Sequence, residues 1–367
     1  MEKGLCEICN PKQWKTISSG LLTESGYPVY GANGVIGYYT NYNHEEPTIL
    51  ITCRGATCGT LNICEPFSYV NGNAMALDNL SEEINIRYLY YYLLSRGLSD
   101  VITGSAQPQI VRQSLEKVKV IYPSLDEQRK IAAVLDKVSN LIAKRRQQLD
   151  KLDELVKARF VELFGDMVFN PYGWPTRRLV EVADIVSGIT KGRKTKEQNL
   201  IEVPYMAVSN VKDGYIDWTT VKTILAAQSE IEQYRLLPDD ILMTEGGDPD
   251  KLGRGAIIQN PPENCIHQNH IFRVRLNETL LLPCYFAEFL KHQKAKQYFL
   301  RCAKQTTGIA SINMSQLKGL PTLVPSLELQ NHFAAFVEQT EKTKSTISRS
   351  LEKLETLKKA LMQEYFG

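Results

Sequence analysis

The sequence predicts an α+β protein in which two β-rich domains alternate with two long helices that pair as an antiparallel coiled coil. Three observations predict this plan: an internal two-fold repeat, two long segments without proline or glycine in their interior, and short β-branched and aromatic runs elsewhere. The expected ranges are 1–123 and 166–325 for the domains, and 124–165 and 326–367 for the helices.

The repeat joins the two helical segments at an offset of 202 positions and runs without a gap to the end of the chain. Tyr-Pro-Ser-Leu-Asp-Glu-Gln at 122–128 is matched by Val-Pro-Ser-Leu-Glu-Leu-Gln at 324–330, and Phe-Gly ends both segments. A serine N-cap candidate behind a proline, acids in the first turn and a closing glycine are typical of a helix. At about 1.5 Å per residue, forty residues make a rod of roughly 60 Å.

Apolar residues recur along both helices in alternating steps of four and three, which is the pattern of a coiled-coil seam. The alternative is an ordinary amphipathic helix packed on its own domain, but helices of this length favour the coiled coil. We predict the following seam residues: Ile131, Leu135, Val138, Leu149, Leu152, Leu351, Leu354 and Leu361.

Cations interrupt this seam at Arg145, Arg159, Lys344 and Lys358. A buried unpaired charge is costly, so we expect these side chains to extend to solvent or to pair with acids across the helices.

The segments before the helices contain short runs of strand-forming residues and one helical stretch each. The predicted strands are 27–30, 48–52, 203–208 and 240–244, and the predicted helical stretches are 86–95 and 283–303. The two segments match each other only weakly, so we expect one fold with diverged surfaces. Diverged domains on matching helices indicate that the domains recognise a ligand and the helices set a spacing.

Composition leaves the partner open. A net charge of +2 does not by itself indicate nucleic acid. The apolar runs are too short to cross a membrane and the N-terminus has no apolar signal region, so we expect a cytoplasmic protein.

We expect no metal site and no bound cofactor. The eight cysteines should be reduced thiols, and their spacing, including Cys6-x-x-Cys9, lacks the histidine partners of common zinc sites. We interpret His267-x-x-His270 as polar residues at a strand edge. Phosphate-binding glycine motifs and a paired nucleophile and base are also missing from the sequence, so we expect no catalysis.

Two glycine-containing loops that carry clustered cations are the best candidates for contact with an anionic ligand. The loop at 188–196 carries Lys191, Arg193, Lys194 and Lys196, which suit phosphate contacts, although a solvated surface loop is the alternative. The loop at 246–254 carries Lys251 and Arg254.

We match the second of these loops to Arg54-Gly55-Ala56-Thr57 in the first domain. Arg54 and Arg254 could each read guanine bidentately, or could instead cap a strand end. Gln107 and Gln109 could read adenine, but beside a proline they could equally be structural turn residues.

Taken in order, several segments resemble the specificity (S) subunits of type I restriction-modification systems over essentially the whole chain. The segments are Tyr-Gly-Ala-Asn-Gly-Val-Ile-Gly at 30–37, Cys-Arg-Gly-Ala-Thr-Cys-Gly at 53–59, Thr-Gly-Ser-Ala-Gln-Pro-Gln-Ile at 103–110 and Asn-Pro-Tyr-Gly-Trp-Pro at 170–175. The first domain departs from the family in lacking a Gly-Trp-Pro opening. The second departs in having Thr-Gly-Ile-Ala-Ser-Ile at 307–312.

The resemblance implies a non-catalytic subunit that binds both halves of a split target in double-stranded DNA. It further implies two methyltransferase (M) subunits that carry S-adenosylmethionine, and restriction (R) subunits that use ATP and Mg²⁺. The coiled coil would then act as a ruler between the half-sites, because major grooves on one face of DNA recur every ~34–36 Å. A subunit of a type IIB-like or modification-only methyltransferase, or a protein-binding scaffold, remain the alternatives.

Overall fold

The computed structural model describes residues 1–104, 107–193, 197, 199–248, 252–306 and 309–367. The chain forms two compact units, Met1–Gln147 with Ile347–Gly367, and Gln148–Thr346. Each unit therefore contains one domain together with part of both long helices.

The first unit opens with a β-rich domain. In chain order its elements are β1 Glu2–Gly4, α1 Leu5–Ile8, β2 Asn10–Gln13, β3 Tyr27–Gly31, β4 Gly34–Tyr39, β5 Ile49–Thr52, β6 Leu61–Ile63, β7 Tyr69–Val70, β8 Ala74–Asp78, α2 Ile86–Arg96, α3 Arg112–Leu115 and β9 Lys119–Ile121. The first long helix, α4 Leu125–Phe164, follows directly.

The second unit repeats the order of the paired strands, but it has three additional strands, lacks α1, and has the additional helices α5 and α7. Its elements are β10 Thr176–Arg178, β11 Ala183–Ser187, β12 Ile201–Met206, β13 Lys222–Ala226, α5 Gln228–Tyr234, β14 Ile241–Thr244, β15 Gly246–Gly247, β16 Gly255–Ile257, β17 Ile266–His267, β18 Ile271–Leu276, α6 Pro283–Lys291, α7 Gln293–Cys302, β19 Lys304–Thr306, β20 Ile309–Ser311, α8 Met314–Lys318 and β21 Pro321–Leu323. The second long helix is α9 Leu327–Phe366.

The two domains share one sheet topology. A four-stranded antiparallel sheet has the order β2-β8-β5-β6 in the first unit and β11-β18-β14-β16 in the second. A three-stranded sheet with one parallel pair has the order β4-β3-β7 and β13-β12-β17. A two-stranded pair, β1-β9 or β10-β21, precedes each long helix. The expectation that the domains share a fold is therefore confirmed for these sheets, and the second unit adds a sheet of the order β15-β20-β19.

The central strand of each domain is buried on both faces. In β5, Ile49 and Ile51 belong to the core beneath the helices, whereas Leu50 points to a second core against the three-stranded sheet. In β14, Ile241 likewise belongs to the core beneath the helices, and Leu242 belongs to a second core against the three-stranded sheet. Because successive side chains on a strand point to opposite faces, an unbroken apolar run fits a strand covered on both sides.

Both long helices have 40 residues. The first begins after Ser124, whose side-chain oxygen accepts a hydrogen bond from the Glu127 amide (3.4 Å). It ends at Gly165, whose φ of +76° is the left-handed conformation common after helices.

Within each unit, the helix segments pack antiparallel. In the first unit, Ile131 and Leu135 share a core with Leu361, while Arg146 lies 2.6 Å from Glu355. Residues in the first part and middle of the first helix thus meet residues in the last part of the second.

The second unit has the reciprocal arrangement. There the Phe160 and Phe333 rings pack edge to face with centroids 5.4 Å apart, and Lys344 lies 2.7 Å from Asp153. All eight predicted seam residues are buried or half-buried.

One seam cation pairs with an acid across the helices, as expected, and two others make different contacts. Lys344 pairs with Asp153 of the other helix. Arg159 pairs with Glu162 of its own helix, 2.9 Å away, and covers the Phe336 ring. Lys358 lies over the Tyr91 ring, and burial lowers the pKa of this lysine.

The helical stretch predicted at 283–303 is two helices, α6 and α7, so that prediction was wrong in part. The backbone is extended at His292, and the His292 side chain accepts a hydrogen bond from the Lys294 amide to cap α7. The extended residue separates the two helices. The sequence pattern before and after His292 is helical on both sides and gave no sign of this break.

Candidate nucleic-acid interface

The structure brings together two groups of candidate contacts in the first unit. Arg54 pairs with Gln109 in an antiparallel bridge, and Gln109 pairs in turn with Thr103. The Gly55 amide donates to the carbonyl of Pro108 (3.1 Å). The loop after β5 and the segment 103–110, which lie some fifty residues apart in sequence, thus form one surface.

The predicted side chains on this surface face solvent. Arg54, Thr57, Gln107 and Gln109 are all exposed, whereas the backbone beneath them is anchored. The Ile110 amide donates to the carbonyl of Cys53 at 3.0 Å. Exposed side chains on a hydrogen-bonded support are well placed to contact a ligand.

A glycine is required at one corner of this surface. Gly104 has φ +85°, and a Cβ atom there would lie 2.6 Å from the carbonyl oxygen of Gln107. Another residue at this position would strain the turn that presents Gln107.

The second unit has the same arrangement, made of longer strands. Gly246 pairs with Ser311, which pairs in turn with Lys304. The Ile312 amide donates to the carbonyl of Glu245 (2.8 Å). These contacts correspond to the Arg54–Gln109–Thr103 pairing of the first unit.

This correspondence corrects the matching of Arg254 with Arg54. Arg54 lies two residues after β5, whereas Arg254 immediately precedes β16. The two arginines therefore stand at opposite ends of equivalent loops, and Gly246 occupies the position of Arg54. Sequence matching missed this because the loop in the second unit is longer.

Arg254 is half-buried rather than projecting. Its Nε atom is shielded from solvent and has no hydrogen-bond partner among the residues that the structure describes. Arg254 lines a small pocket. The other residues that line it are Asp213, Leu252, Gly253, Gly255, Leu290, Lys291 and Lys296.

The predicted contact residues in the loop after β11 have different surroundings. Lys191 is exposed. Arg193 instead donates to the Glu230 carboxylate and to the carbonyl of Leu225, and its hydrogen bond lowers the pKa of Glu230. Arg193 thereby ties this loop to the start of α5. Lys194, Lys196 and Lys251 lie outside the described residues.

A further basic surface was missed by the sequence analysis. Between positions 291 and 304 the chain has no aspartate or glutamate, and its cations are Lys291, Lys294, Lys296, Arg301 and Lys304. The signal was present in the sequence, but the sequence analysis interpreted 283–303 only as a helical stretch. The structure places Lys291 and Lys296 beside Arg254.

His267 ends β17, an outer strand of the three-stranded sheet, as the sequence interpretation placed it, but it is not exposed there. Its side chain is fully buried, with the ring nitrogens facing the carbonyls of Tyr234 (3.1 Å) and Val186 (3.4 Å). Burial lowers the pKa of His267 to about 4. His270 is exposed and pairs with Glu245.

All eight cysteines are free thiols. Among the residues that the structure describes, there is no group of three or more His, Cys, Asp or Glu side chains able to hold a metal ion. Within the same part of the chain, no helix is both long enough and apolar enough to span a membrane.

Comparison with known families shows the family to which the chain belongs. Residues 1–154 and 171–356 match the family described as type I restriction modification DNA specificity domain. A putative specificity subunit of the type I restriction enzyme MjaX from Methanocaldococcus jannaschii is 28% identical over 53% of this chain and 46% of its own length. A putative type I specificity subunit from Haemophilus influenzae is 23% identical over 92% of this chain and 86% of its own length.

The match to the M. jannaschii protein therefore spans about half of that relative. The crystal structure of a type I S subunit from M. genitalium is similar over all of this chain and 96% of its own, with a TM-score of 0.65 and 17% identity. A chain from a structure described as the basis of complex assembly and conformational transition of the type I restriction-modification system has a TM-score of 0.54. These similarities confirm the predicted α+β fold and the resemblance inferred from the sequence.

Proposed function

Because the chain belongs to the type I restriction modification DNA specificity domain family, we propose that it is the sequence-reading, non-catalytic subunit of a type I restriction-modification complex. The names of its relatives support this, since those proteins are called specificity subunits. On this proposal each recognition domain, 1–123 and 166–325, binds one half of a split target in double-stranded DNA.

One observation carries the proposal: the two units share a sheet topology but differ in chemistry at equivalent surface positions. Arg54 of the first unit corresponds to Gly246 of the second, and Gln109 corresponds to Ser311. An arginine and a glutamine can read base edges that a glycine cannot, so the two surfaces would select different bases. The target would therefore be asymmetric.

The proposed contacts combine base and phosphate recognition. Those in the first domain are Arg54, Thr57, Gln107 and Gln109, and those in the second are Lys191, Arg193, Lys194, Lys196, Lys251 and Arg254. Arg193 is the least well supported of these contacts, because Glu230 already neutralises its guanidinium group.

The helices 124–165 and 326–367 would set the spacing and dock two M subunits. Val134, Leu141 and Leu155 of α4 are 39–48% exposed and lie at multiples of seven residues, so they share one helix face. Because this apolar stripe is exposed beside a buried seam, a helix of a partner protein could pack against it.

The chemistry would belong to the partners. The M subunits would carry S-adenosylmethionine for adenine methylation, and R subunits would supply ATP- and Mg²⁺-dependent translocation and cleavage. The complex would act in the cytoplasm, where DNA and these cofactors are found.

The test is single-molecule methylome sequencing of cells that express this chain with its M subunit. We expect methyladenine at one split motif, and an Arg54→Ala variant altered in only one half of that motif. Lys117→Ala, which removes an exposed cation of the first unit outside the candidate surface, is the control and should leave the motif unchanged. An assembled complex that methylates no motif would refute the proposal and favour a protein-binding scaffold.

A further inference from the structure

A small pocket in the second unit is lined by Arg254, whose Nε atom is hidden from solvent, and by two lysines. It lies where the loop before β16 meets the end of α6 and the first turn of α7. Its volume is about 20 Å³, enough for one water-sized group and far too small for a base.

Arg254 is held in this pocket by its neighbours. The preceding Gly253 has φ +73°, and a Cβ atom there would lie 2.3 Å from the Phe299 ring. The following Gly255 accepts a hydrogen bond from the Gly214 amide (3.2 Å). The backbone on both sides of Arg254 is therefore fixed, and a side chain on such a backbone has few alternative directions.

The guanidinium is incompletely satisfied. Its Nε atom is hidden from solvent without a hydrogen-bond partner among the described residues. A buried donor left in this state costs about 1–3 kcal/mol, more when the group is charged. Buried donors are usually satisfied by protein groups, ordered water or ions, so this Nε atom is open to a ligand contact; Arg159 and Arg273 also have an Nε atom of this kind.

The surrounding charge selects an anion. Arg254, Lys291 and Lys296 line the pocket, against one lining acid, Asp213. Lys291 also pairs with Glu288, 2.9 Å away, which leaves Arg254 and Lys296 as the main positive groups. Along the chain, residues 291–304 add Lys294, Arg301 and Lys304 and no acid, although Asp166 lies close enough to act on Lys294.

We propose that Arg254, together with Lys296 and Lys291, binds one phosphate of the DNA backbone and positions the second domain on the duplex. This rests on the proposed DNA-binding function and replaces guanine reading by Arg254 with a sequence-independent role. One phosphate oxygen enters the pocket while the rest of the phosphate faces the lysines. Such contacts set register and orientation without selecting bases.

The test compares Lys296→Gln and Arg254→Gln with the unaltered chain, each full-length and in complex with its M subunits. Binding to a cognate and a scrambled duplex is measured over a range of salt concentrations. Each variant should weaken binding to both duplexes by about threefold or more, and should reduce the slope of log K against log salt by about 1. The methylated motif should stay the same.

A control and a second readout make the result specific. Lys222→Gln removes an exposed cation from β13 and should bind as the unaltered chain does. Single methylphosphonates, which remove the charge of one phosphate, should weaken the unaltered complex at one position near the second half-site. At that position they should have no further effect on the Lys296→Gln variant.

Two results would overturn the phosphate site. One is a changed base preference in one half-site with an unchanged salt slope, which would restore base reading by Arg254. The other is binding by both variants that equals that of the unaltered complex. Failure of the proposed function is a different result, because there the unaltered complex itself would prefer no split motif.

Discussion

Gln128 and Gln330, which lie 202 positions apart, make the same three hydrogen bonds, each within its own unit. Both side chains are fully buried in the first turn of a long helix. The Gln128 Oε1 atom accepts from the Asn85 amide (2.8 Å), and its Nε2 atom donates to the carbonyls of Glu83 (3.0 Å) and Pro123 (3.1 Å).

In the second unit, Gln330 Oε1 accepts from the Leu282 amide (2.7 Å), and Nε2 donates to the carbonyls of Leu280 (3.0 Å) and Pro325 (2.9 Å). Each glutamine thereby joins three pieces of chain: the start of the domain helix, the loop before it and the start of the long helix. Each side-chain amide thereby connects the start of a long helix to the domain before it.

Replacing Gln128 by alanine should lower the free energy of unfolding by about 1–3 kcal/mol, because a buried amide donor and two carbonyls lose their partners. Urea denaturation followed by circular dichroism measures this loss. Gln147→Ala, at an exposed position of the same helix, should change stability by much less. Equal losses in the two variants would contradict the role of the buried amide.

The phenylalanines that end the two helices, Phe164 and Phe366, should contribute differently to the free energy of unfolding. Phe164 is fully buried against Tyr285, with ring centroids 4.8 Å apart, whereas Phe366 is only half-buried against Tyr88. Phe164→Ala should destabilise the protein by about 3–5 kcal/mol, and Phe366→Ala by clearly less.

Thermal unfolding of the two variants provides the comparison. Phe169→Ala is the control, because Phe169 is 81% exposed and should tolerate the change. A Phe366→Ala variant as unstable as Phe164→Ala would show that burial does not set the difference.

Stability should fall in acid through His267. Its pKa is about 4 in the folded protein and about 6.5 when unfolded, so below pH 6.5 the unfolded chain binds the proton more readily. The contribution is absent above pH 6.5, grows as pH falls, and reaches about 3 kcal/mol of lost stability near pH 4.

Unfolding free energies at several pH values test this prediction. A His267→Gln variant should lose stability less steeply between pH 6.5 and 4 than the unaltered chain. His332→Gln, which removes an exposed histidine, should retain the full pH dependence. The prediction fails if the His267→Gln and His332→Gln curves have the same slope.

The ruler hypothesis predicts that the helices set the gap in the DNA target. Deleting residues 143–149 and 345–351 removes one heptad, about 10 Å, from both helices at matched positions. The methylated motif should then have a gap shorter by about three base pairs, at ~3.4 Å each. Replacing the same residues by another heptad of equal length should leave the gap unchanged, and an unchanged gap after the deletion would rule out the ruler.

Some local features could be read from the sequence. The 40-residue helices follow from a seven-residue pattern without proline or glycine, and the central strands from unbroken β-branched runs such as 49–52. Both signals depend on neighbours within a few residues. The repeat added the one long-range fact that the sequence contained, because duplicated segments imply equivalent surroundings.

Other features depended on partners far along the chain. Arg193 looked like a free cation, yet it pairs with Glu230, 37 residues away. His267 looked polar, but the strands around it exclude water.

The sequence by itself determined the fold class, the doubled plan and the family, because these follow from periodicity and repetition along the chain. Only the tertiary structure decided which cations are neutralised, which loop positions are equivalent and where Arg254 is directed. The physical reason is that charge pairing and burial depend on distances in space, and sheet pairing brings together residues whose separation in sequence carries no local signal.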